Sequence, residues 1–124
     1  MKIISTEKAP QAVGPYSQAI VTNGMVYTSG QIALVPQTGE MITGDIKAQS
    51  KLVFQNLKAV LEAAGSSMDK IVKTTCYLTN MDNFAVFNEL YSEFITHKPA
   101  RSCVEASALP KGAIVEVEAI ALVS

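Results

Sequence analysis

Cysteine and histidine are scarce in this chain of 124 residues, which contains two of the first and one of the second. Cys76 and Cys103 are too few for the disulfide framework of a small secreted domain, so we expect two free thiols. His97 stands alone, whereas the usual zinc sites need clustered cysteine and histidine ligands. The sequence therefore predicts neither a disulfide scaffold nor a metal site.

An excess of positive charge and long hydrophobic runs are also missing. Ten basic and eleven acidic side chains give a net charge of −1, and no block of lysine or arginine stands out. We therefore expect neither nucleic acid nor an anionic membrane as a partner. The N-terminal residues lack the apolar stretch of a signal peptide, and no run approaches the ~20 residues that a membrane span needs. These absences predict a cytoplasmic protein.

Charged residues make up only 17% of the chain, whereas hydrophobic residues make up 48%. So few charges cannot cover the whole surface of a monomer, and we expect an oligomer with apolar interfaces. The length predicts one domain over residues 1–124. A domain of this size buries about two-thirds of the surface of its unfolded chain.

Hydrophobic periodicity and turn residues divide the chain into several strands and two helices. Asn23-Gly24 joins two β-prone runs within residues 17–29 and predicts a hairpin with a type I′ turn. Apolar positions at helical spacing predict a helix over residues 45–64, with Asp45 as its N-cap and Gly65 just beyond its end. The other predicted elements are, in chain order, a short strand at 31–35, a strand at 71–78, a helix at 82–97 and strands at 102–106 and 114–123.

This order of elements predicts a single α/β sandwich in which both helices pack on one face of one β-sheet. The strand at 71–78 is expected to be buried on nearly both faces. The opposite sheet face has nothing from its own chain to cover it, and its strands are too apolar to face water. A second subunit is therefore expected to cover that face, with a pocket at or near the interface.

Charged side chains interrupt the last two predicted strands. Arg101, Cys103 and Glu105 share one face of a strand with period two. Glu116 and Glu118 share a face of the last strand with Ile114, Ile120 and Leu122. An unpaired ion in an apolar setting costs several kcal/mol, so such residues need a partner or a ligand. Arg101 either neutralises one of the two glutamates or holds an anion with its planar fork of donors.

Other polar side chains have a structural interpretation beside a functional one. Cys103 is a nucleophile or a buried wall, because Arg101 nearby favours a thiolate but no base is visible next to it. Ser29 at a strand end and Tyr16 either line a pocket or serve the backbone and the core. His97, near the end of the second predicted helix, is expected to interact with the helix dipole.

Four motifs together resemble the reactive-intermediate deaminase family, RidA, also called YjgF. They read G-P-Y-S-Q-A at 14–19, T-S-G-Q-I at 28–32, P-A-R-S-C-V-E at 99–105 and L-P-K-G-A-I-V-E-V-E-A-I-A at 109–121. The resemblance implies a chorismate-mutase-like α+β fold, assembled as a homotrimer with three pockets between subunits. It also implies hydrolysis of 2-imino and enamine acids, such as 2-iminobutanoate and 2-iminopropanoate, to 2-oxo acids and ammonia without a cofactor.

Site residues can be carried over where this chain matches the family's motifs. By resemblance, Arg101 holds the substrate carboxylate and Glu116 positions or activates the water. The remaining positions that the resemblance places in or near the pocket are Tyr16, Ser29, Gly30, Asn88 and Cys103. A small 2-imino acid is then the expected partner of the site, along with other copies of the chain.

One rival hypothesis belongs to a different class of protein. The same clefts would bind a small carboxylate without catalysis, and the protein would regulate a partner, as has been proposed for some members of the family. An RNA-cleaving role has also been claimed in the family. The weak basic character of this chain argues against that role.

Overall fold

A six-stranded β-sheet with two α-helices packed on it forms the part of the chain that the computed structural model describes, residues 1–123. The strands are β1 (Lys2–Ile4), β2 (Ala19–Thr22), β3 (Met25–Thr28), β4 (Ile71–Leu78), β5 (Ala100–Glu105) and β6 (Val115–Leu122). The helices are α1 (Ile46–Ala63) and α2 (Phe84–Phe94). The strand order is β1-β2-β3-β6-β4-β5, antiparallel except for the parallel pair β4 and β5. The predicted α+β class is confirmed.

The hairpin of β2 and β3 turns at the predicted dipeptide. Asn23 and Gly24 both have positive φ angles, 51° and 74°, as a type I′ turn requires. Thr22 and Met25 pair directly across the turn. This prediction is confirmed because the turn depends on two adjacent residues and little else.

Helix α1 begins and ends where its capping residues stand. The carboxylate of Asp45 accepts a hydrogen bond from the backbone N–H of Ala48 at 3.0 Å, which satisfies a free donor of the first turn. At the other end, Gly65 has a φ angle of 82°, and the N–H of Ser66 donates to the carbonyl of Leu61 at 2.9 Å. This is a Schellman closure, and both predicted ends of the helix are confirmed.

The core lies between α1, α2 and one face of the sheet. Strand β6 presents every second side chain to this face, and the residues concerned are all buried: Val115, Val117, Ala119 and Ala121. Helix α1 packs against them with its apolar stripe, of which the fully buried members include Val53, Phe54, Leu57, Val60 and Leu61. The alternation of β6 places Glu116 and Glu118 on the opposite face, which we call the open face.

Residues 31–35 do not form the predicted strand. Only two isolated bridges occur there, from Gln31 to Val117 and from Leu34 to Met41. The side-chain amide of Asn56 on α1 donates to the carbonyl of Ile32 at 3.2 Å and to that of Leu34 at 2.9 Å. The segment has no strand ladder to bind these carbonyls, so a side chain of the helix binds them instead. Local composition cannot reveal such a contact.

Three further features differ from the predictions: the strand β1, the end of α2 and the contact of His97. Strand β1 was not predicted, since three residues are too short to show a pattern. Helix α2 ends at Phe94, because Ile95 adopts an extended conformation with a φ angle of −128°. His97 therefore lies outside the helix. Its Nε2 donates a hydrogen bond to the carbonyl of Ile71 at 2.8 Å, so the expected interaction with the helix dipole is replaced by this bond.

The open face of the sheet is uncovered, as predicted. Exposed apolar side chains on it include Ile3, Tyr27, Leu122 and Val104, at 64%, 44%, 51% and 46% exposure. Strand β4 is consequently not buried on both faces: its Thr74, Cys76 and Leu78 are buried, but the residues between them are not. Within residues 1–123, neither helix combines the length and the apolar character that crossing a membrane would take.

Candidate functional site

The strand register places the two central charged residues on opposite faces of the sheet. Arg101 pairs with buried Thr74 and therefore points to the helix side, whereas Glu116 pairs with Tyr77 on the open face. An ion pair between Arg101 and Glu116 or Glu118 cannot form within one chain across the sheet. The ion-pair interpretation of Arg101 is therefore wrong for the single chain, and anion binding by Arg101 stays a prediction.

Arg101 is the only arginine of the chain, and three side chains of α2 hold it in place. Its Nη1 donates to Oδ1 of Asn88 at 2.7 Å. The guanidinium carbon lies 4.8 Å from the ring centroid of Tyr91 and 5.5 Å from that of Phe84. The three partners follow one another at spacings of four and three residues, which brings them to one face of the helix.

The guanidinium keeps most of its hydrogen-bonding capacity. Of its five N–H donors, Asn88 takes one, and it is the only hydrogen-bond partner of Arg101 among residues 1–123. Arg101 is half-buried, so the charge is partly removed from water but remains accessible. A planar cation with free parallel donors suits a carboxylate or another planar anion.

A cavity of about 280 Å³ lies beside Glu116, next to the end of β3. Four of the predicted site residues line it: Tyr16, Ser29, Gly30 and Glu116. The other lining residues, which were not predicted to be functional, are Pro10, Gln11, Val13, Gln18, Gln31, Ile32, Leu34 and Pro110. The lining residues do not include Arg101, Asn88 or Cys103. Within one chain, the predicted site residues therefore lie in two separate groups.

Gly30 leaves the space that the carboxyl group of Glu116 occupies. A Cβ atom built on Gly30 would collide with Oε2 of Glu116 and would stand 2.7 Å from its Cδ, far inside contact distance. Any larger residue at this position would meet the acid where it now lies. The glycine of the T-S-G-Q-I motif is therefore required by the position of Glu116.

Glu116 sits in an environment that disfavours its charge. Burial raises the pKa of the Glu116 carboxyl, and the negative charge of Glu118 raises it further. Glu118 itself accepts a hydrogen bond from the hydroxyl of Tyr77 at 3.1 Å. An acid with a raised pKa can take a proton from water and return it to a leaving group, which suits general acid–base chemistry.

The hydroxyl groups of Ser29 and Tyr16 differ in how they are used. Oγ of Ser29 donates to the carbonyl of Ser17 at 2.6 Å, so its proton is engaged by the neighbouring strand. The hydroxyl of Tyr16 accepts a hydrogen bond from the N–H of Val13 at 3.3 Å, which leaves its own proton available. Ser29 therefore does both of the things that the sequence left as alternatives: its hydroxyl bonds the backbone, and the residue lines the cavity.

Cys103 is a poor candidate for a nucleophile. Burial raises the pKa of its thiol, although Arg101 opposes the shift. Its direct partner in the β4–β5 ladder is Cys76, whose pKa burial raises to about 12. Both cysteines are free, and Cys103 is best described as a partly buried neutral side chain beside Arg101.

Gln18 is a structural residue of the cavity that the sequence pattern did not reveal. Its amide nitrogen donates to the carbonyl of Pro10 at 2.7 Å, and its oxygen accepts from the N–H of Thr6 at 2.7 Å. These bonds fix Pro10, which lines the cavity, and join it to Thr6. The signal was present in the motif G-P-Y-S-Q-A, because a buried glutamine beside a strand needs several partners.

Metal binding finds no support in the arrangement of side chains. No group of three or more histidine, cysteine, aspartate or glutamate side chains comes together anywhere in residues 1–123. The donors that the site does offer are a guanidinium, a carboxyl group, hydroxyls and amides. They suit a small organic anion.

Arg101 on one sheet face and Glu116 in a cavity on the other are the two charged groups of this α+β chain that suit a small organic ligand. The profile of the family described as Endoribonuclease L-PSP matches residues 6–123. The chain belongs to this family, which is the YjgF/RidA family. The resemblance drawn from the four motifs is thereby confirmed.

Several relatives match the chain over nearly its full length. A RutC family protein of Pyrococcus abyssi is 51% identical over 97% of this chain and 95% of its own. TdcF of Escherichia coli K12, provisionally named a reactive intermediate deaminase, is 46% identical over 98% of this chain and 96% of its own. AldR of Lactococcus lactis, provisionally named a regulator, is 46% identical over 98% of this chain and 97% of its own.

Solved structures show the same fold. The crystal structure of E. coli TdcF with bound serine superposes with a TM-score of 0.95 and 44% identity, covering 100% of both chains. RidA of an Antarctic Psychrobacter superposes with a TM-score of 0.95 and 45% identity, over 99% of this chain and 100% of its own. Two helices on a mixed six-stranded sheet are thus the common architecture.

Proposed function

We propose that this protein hydrolyses reactive 2-imino and enamine acids, such as 2-iminobutanoate and 2-iminopropanoate, to 2-oxo acids and ammonia in the cytoplasm, without a cofactor. The observation that carries the proposal is the 46% identity with TdcF, the relative provisionally named a reactive intermediate deaminase, over 98% of the chain. The solved structure of TdcF contains bound serine, a small molecule with a carboxylate. The guanidinium of Arg101, which has N–H donors left over after its bond to Asn88, offers a partner for such a group.

A complete site requires more than one copy of the chain. Arg101 and Glu116 point to opposite faces of the sheet, and β5, which carries Arg101, is an edge strand. We therefore place the site between copies in a homotrimer, with Arg101 from one copy and the cavity of Glu116 from its neighbour. The uncovered apolar face supports this assembly, because side chains such as Tyr27 and Leu122 need a partner surface.

The residues then take distinct roles in the reaction. Arg101 binds the carboxylate through parallel hydrogen bonds and fixes the adjacent C=N carbon. Glu116 takes a proton from a water molecule, whose oxygen adds to that carbon. The C=N electron pair moves to the nitrogen, which gives a carbinolamine. Glu116 then returns the proton to the nitrogen, the C–N bond breaks with its electron pair leaving on ammonia, and the added oxygen forms the C=O of the 2-oxo acid as its proton passes back to Glu116. Tyr16, Ser29 and Cys103 form the walls around this path.

The first test is the release of 2-oxo acid from freshly generated 2-iminobutanoate and 2-iminopropanoate, compared with the spontaneous rate. We expect acceleration by the wild-type protein and loss of most of it in Arg101→Lys, because a point charge cannot replace the planar fork. Lys98→Arg is the matched control, since Lys98 is an exposed cation close in the sequence. Near-normal turnover by a folded Arg101→Lys protein would refute the role of Arg101.

Glu116 is tested in the same assay by Glu116→Gln. General acid–base catalysis typically contributes 10²–10⁴-fold, and we expect a loss of about that size. Removal of the carboxyl group also removes the pH dependence that it imparts. A full rate across pH in Glu116→Gln would exclude Glu116 as the group that handles the water.

A second candidate function is favoured by one relative. AldR, provisionally named a regulator, is as similar to this chain as TdcF is. In this alternative the site binds a small carboxylate, and the protein acts on a partner without chemistry. A folded oligomer that binds 2-oxobutanoate but leaves the spontaneous hydrolysis rate unchanged would favour this alternative over the deaminase.

A further inference from the structure

Tyr91 stands between the hydrophobic core and Arg101. It is 8% exposed and belongs to a cluster of aromatic rings on the helix side of the sheet. Its ring meets that of Phe54 edge to face, with centroids 5.9 Å apart and planes at 80°, and lies 6.0 Å from that of Phe87. The ring also faces the guanidinium of Arg101 at 4.8 Å. The packing of the Tyr91 ring in the core therefore limits where the guanidinium of Arg101 can lie on the other side of that ring.

The hydroxyl of Tyr91 is tied to the sheet. It shares a hydrogen bond of 2.7 Å with Oγ1 of Thr74, a residue with no exposed surface. Burial raises the pKa of Tyr91, so the group stays a neutral phenol over the physiological range. Thr74 is the direct neighbour of Arg101 in the β4–β5 ladder. Thr74 is therefore connected to Arg101 in two ways: through the side chain of Tyr91 and through the backbone pairing of β4 with β5.

The remaining contacts of Arg101 do not fix its orientation to the same degree. Asn88 holds one N–H, which leaves the guanidinium free to rotate about that bond. Phe84 lies farther away, at 5.5 Å, and is only partly buried. Tyr91 is the nearer and more deeply buried of the two rings beside the guanidinium, and recognition of a carboxylate by two parallel bonds depends on the plane in which the guanidinium lies.

We infer that Tyr91, anchored by Thr74, is a positioning residue that sets the plane of the Arg101 guanidinium for a substrate carboxylate. The inference rests on the proposed function only in identifying the carboxylate as part of the substrate. It assigns a role at the site to Thr74, whose hydroxyl is bound to Tyr91. Loss of either hydroxyl leaves the charge of Arg101 in place and weakens only its orientation.

The test measures binding of 2-oxobutanoate and of its amide, 2-oxobutanamide, by isothermal titration calorimetry. In Tyr91→Phe and in Thr74→Val, we expect affinity for the carboxylate to fall about tenfold, the size of one lost hydrogen bond. Affinity for the amide should stay within about twofold of wild type. Thr74→Ser keeps the hydroxyl and should restore binding. Ser92→Ala removes an exposed hydroxyl of the same helix and serves as the control.

A double variant separates positioning from a general loss of structure. In an Arg101→Lys background, Tyr91→Phe should have no further effect on carboxylate binding, because there is no planar fork left to orient. Equal losses for the carboxylate and the amide, or an undiminished effect in the Arg101→Lys background, would overturn the inference. So would a wild-type protein that binds the carboxylate no better than the amide.

The inference and the proposed function fail in different ways. Carboxylate binding that depends on Tyr91, without acceleration of imine hydrolysis, would support the positioning role and refute the deaminase. Acceleration that depends on Arg101, with full carboxylate affinity in Tyr91→Phe and Thr74→Val, would support the deaminase and refute the positioning role.

Discussion

At the scale of single residues, the cavity is built around the contact of Gly30 with Glu116. The atoms that a Cβ on Gly30 would meet all belong to the flexible side chain of Glu116. A substitution at Gly30 is therefore expected to move the acid aside and to leave the backbone in place. Gly30 contributes to the site by leaving space for the carboxyl group of Glu116.

Gly30→Ala should consequently separate activity from stability. We expect the rate of imine hydrolysis to fall as far as in Glu116→Gln, while the free energy of unfolding changes by less than about 1 kcal/mol, below the usual cost of overpacking. The double variant Gly30→Ala/Glu116→Gln should be no less active than either single variant. Melting curves and 2-oxo acid release measure the two effects. Additive losses would show that Gly30 acts independently of Glu116.

The raised pKa of Glu116 makes a prediction about stability. The folded protein holds the carboxyl group at a higher pKa than the unfolded chain does, so the neutral form is favoured on folding. This contribution is fully present below the unfolded pKa of about 4.3 and is lost as the pH rises through the folded value. Glu116→Gln, which cannot ionise, should therefore be more stable than wild type at pH 7.5 and equal to it near pH 4. Thermal melts at the two values test this, and an equal difference at both would contradict it.

At the scale of elements, helix α1 supports a wall of the cavity through Asn56. The amide of this buried residue binds the carbonyls of Ile32 and Leu34, and both of these residues line the cavity. The segment lacks a strand ladder, so the helix side chain provides the hydrogen bonds that a neighbouring strand would otherwise supply.

Asn56→Ala should lower the free energy of unfolding by about 2 kcal/mol, because the carbonyl of Leu34 loses its donor and that of Ile32 keeps only the N–H of Leu34. Gln55→Ala is the matched control, since Gln55 is exposed on the same helix. Chemical denaturation of both variants gives the comparison. Similar values for the two substitutions would show that the amide of Asn56 does not hold the segment.

At the scale of the whole molecule, the proposed assembly depends on the open face of the sheet. Leu122→Lys introduces a charge on this face, where Leu122 is 51% exposed in the single chain. We expect it to dissociate the oligomer into chains of 13.2 kDa and to abolish imine hydrolysis, because desolvating a lysine at an apolar interface is costly. Ala63→Lys, at an exposed site on α1, is the matched control.

Light scattering combined with the activity assay distinguishes the outcomes. Wild type and Ala63→Lys should have the mass of three chains, and Leu122→Lys the mass of one. A wild-type protein that is monomeric at micromolar concentration would contradict the assembly and leave Arg101 and Glu116 apart. An active monomer of Leu122→Lys would show that one chain suffices for the reaction.

Local signals in the sequence determined the elements whose ends depend on neighbouring residues. The Asn23-Gly24 turn and the caps at Asp45 and Gly65 involve contacts a few residues apart, so composition was enough to predict them. The motifs also identified Arg101 and Glu116 as the charged residues of interest. Each of these signals lies within a short stretch of chain, which is why the sequence by itself was sufficient.

The tertiary structure alone decided which of these residues meet. The strand order sets Arg101 and Glu116 on opposite faces, and it brings Thr74 beside Arg101 although the whole of α2 separates them along the chain. Asn56 replaces a strand partner for residues 31–35, which no local pattern could reveal. The physical reason is that hydrogen bonds and stacking act between atoms within a few ångströms, whereas the sequence orders residues only along the chain.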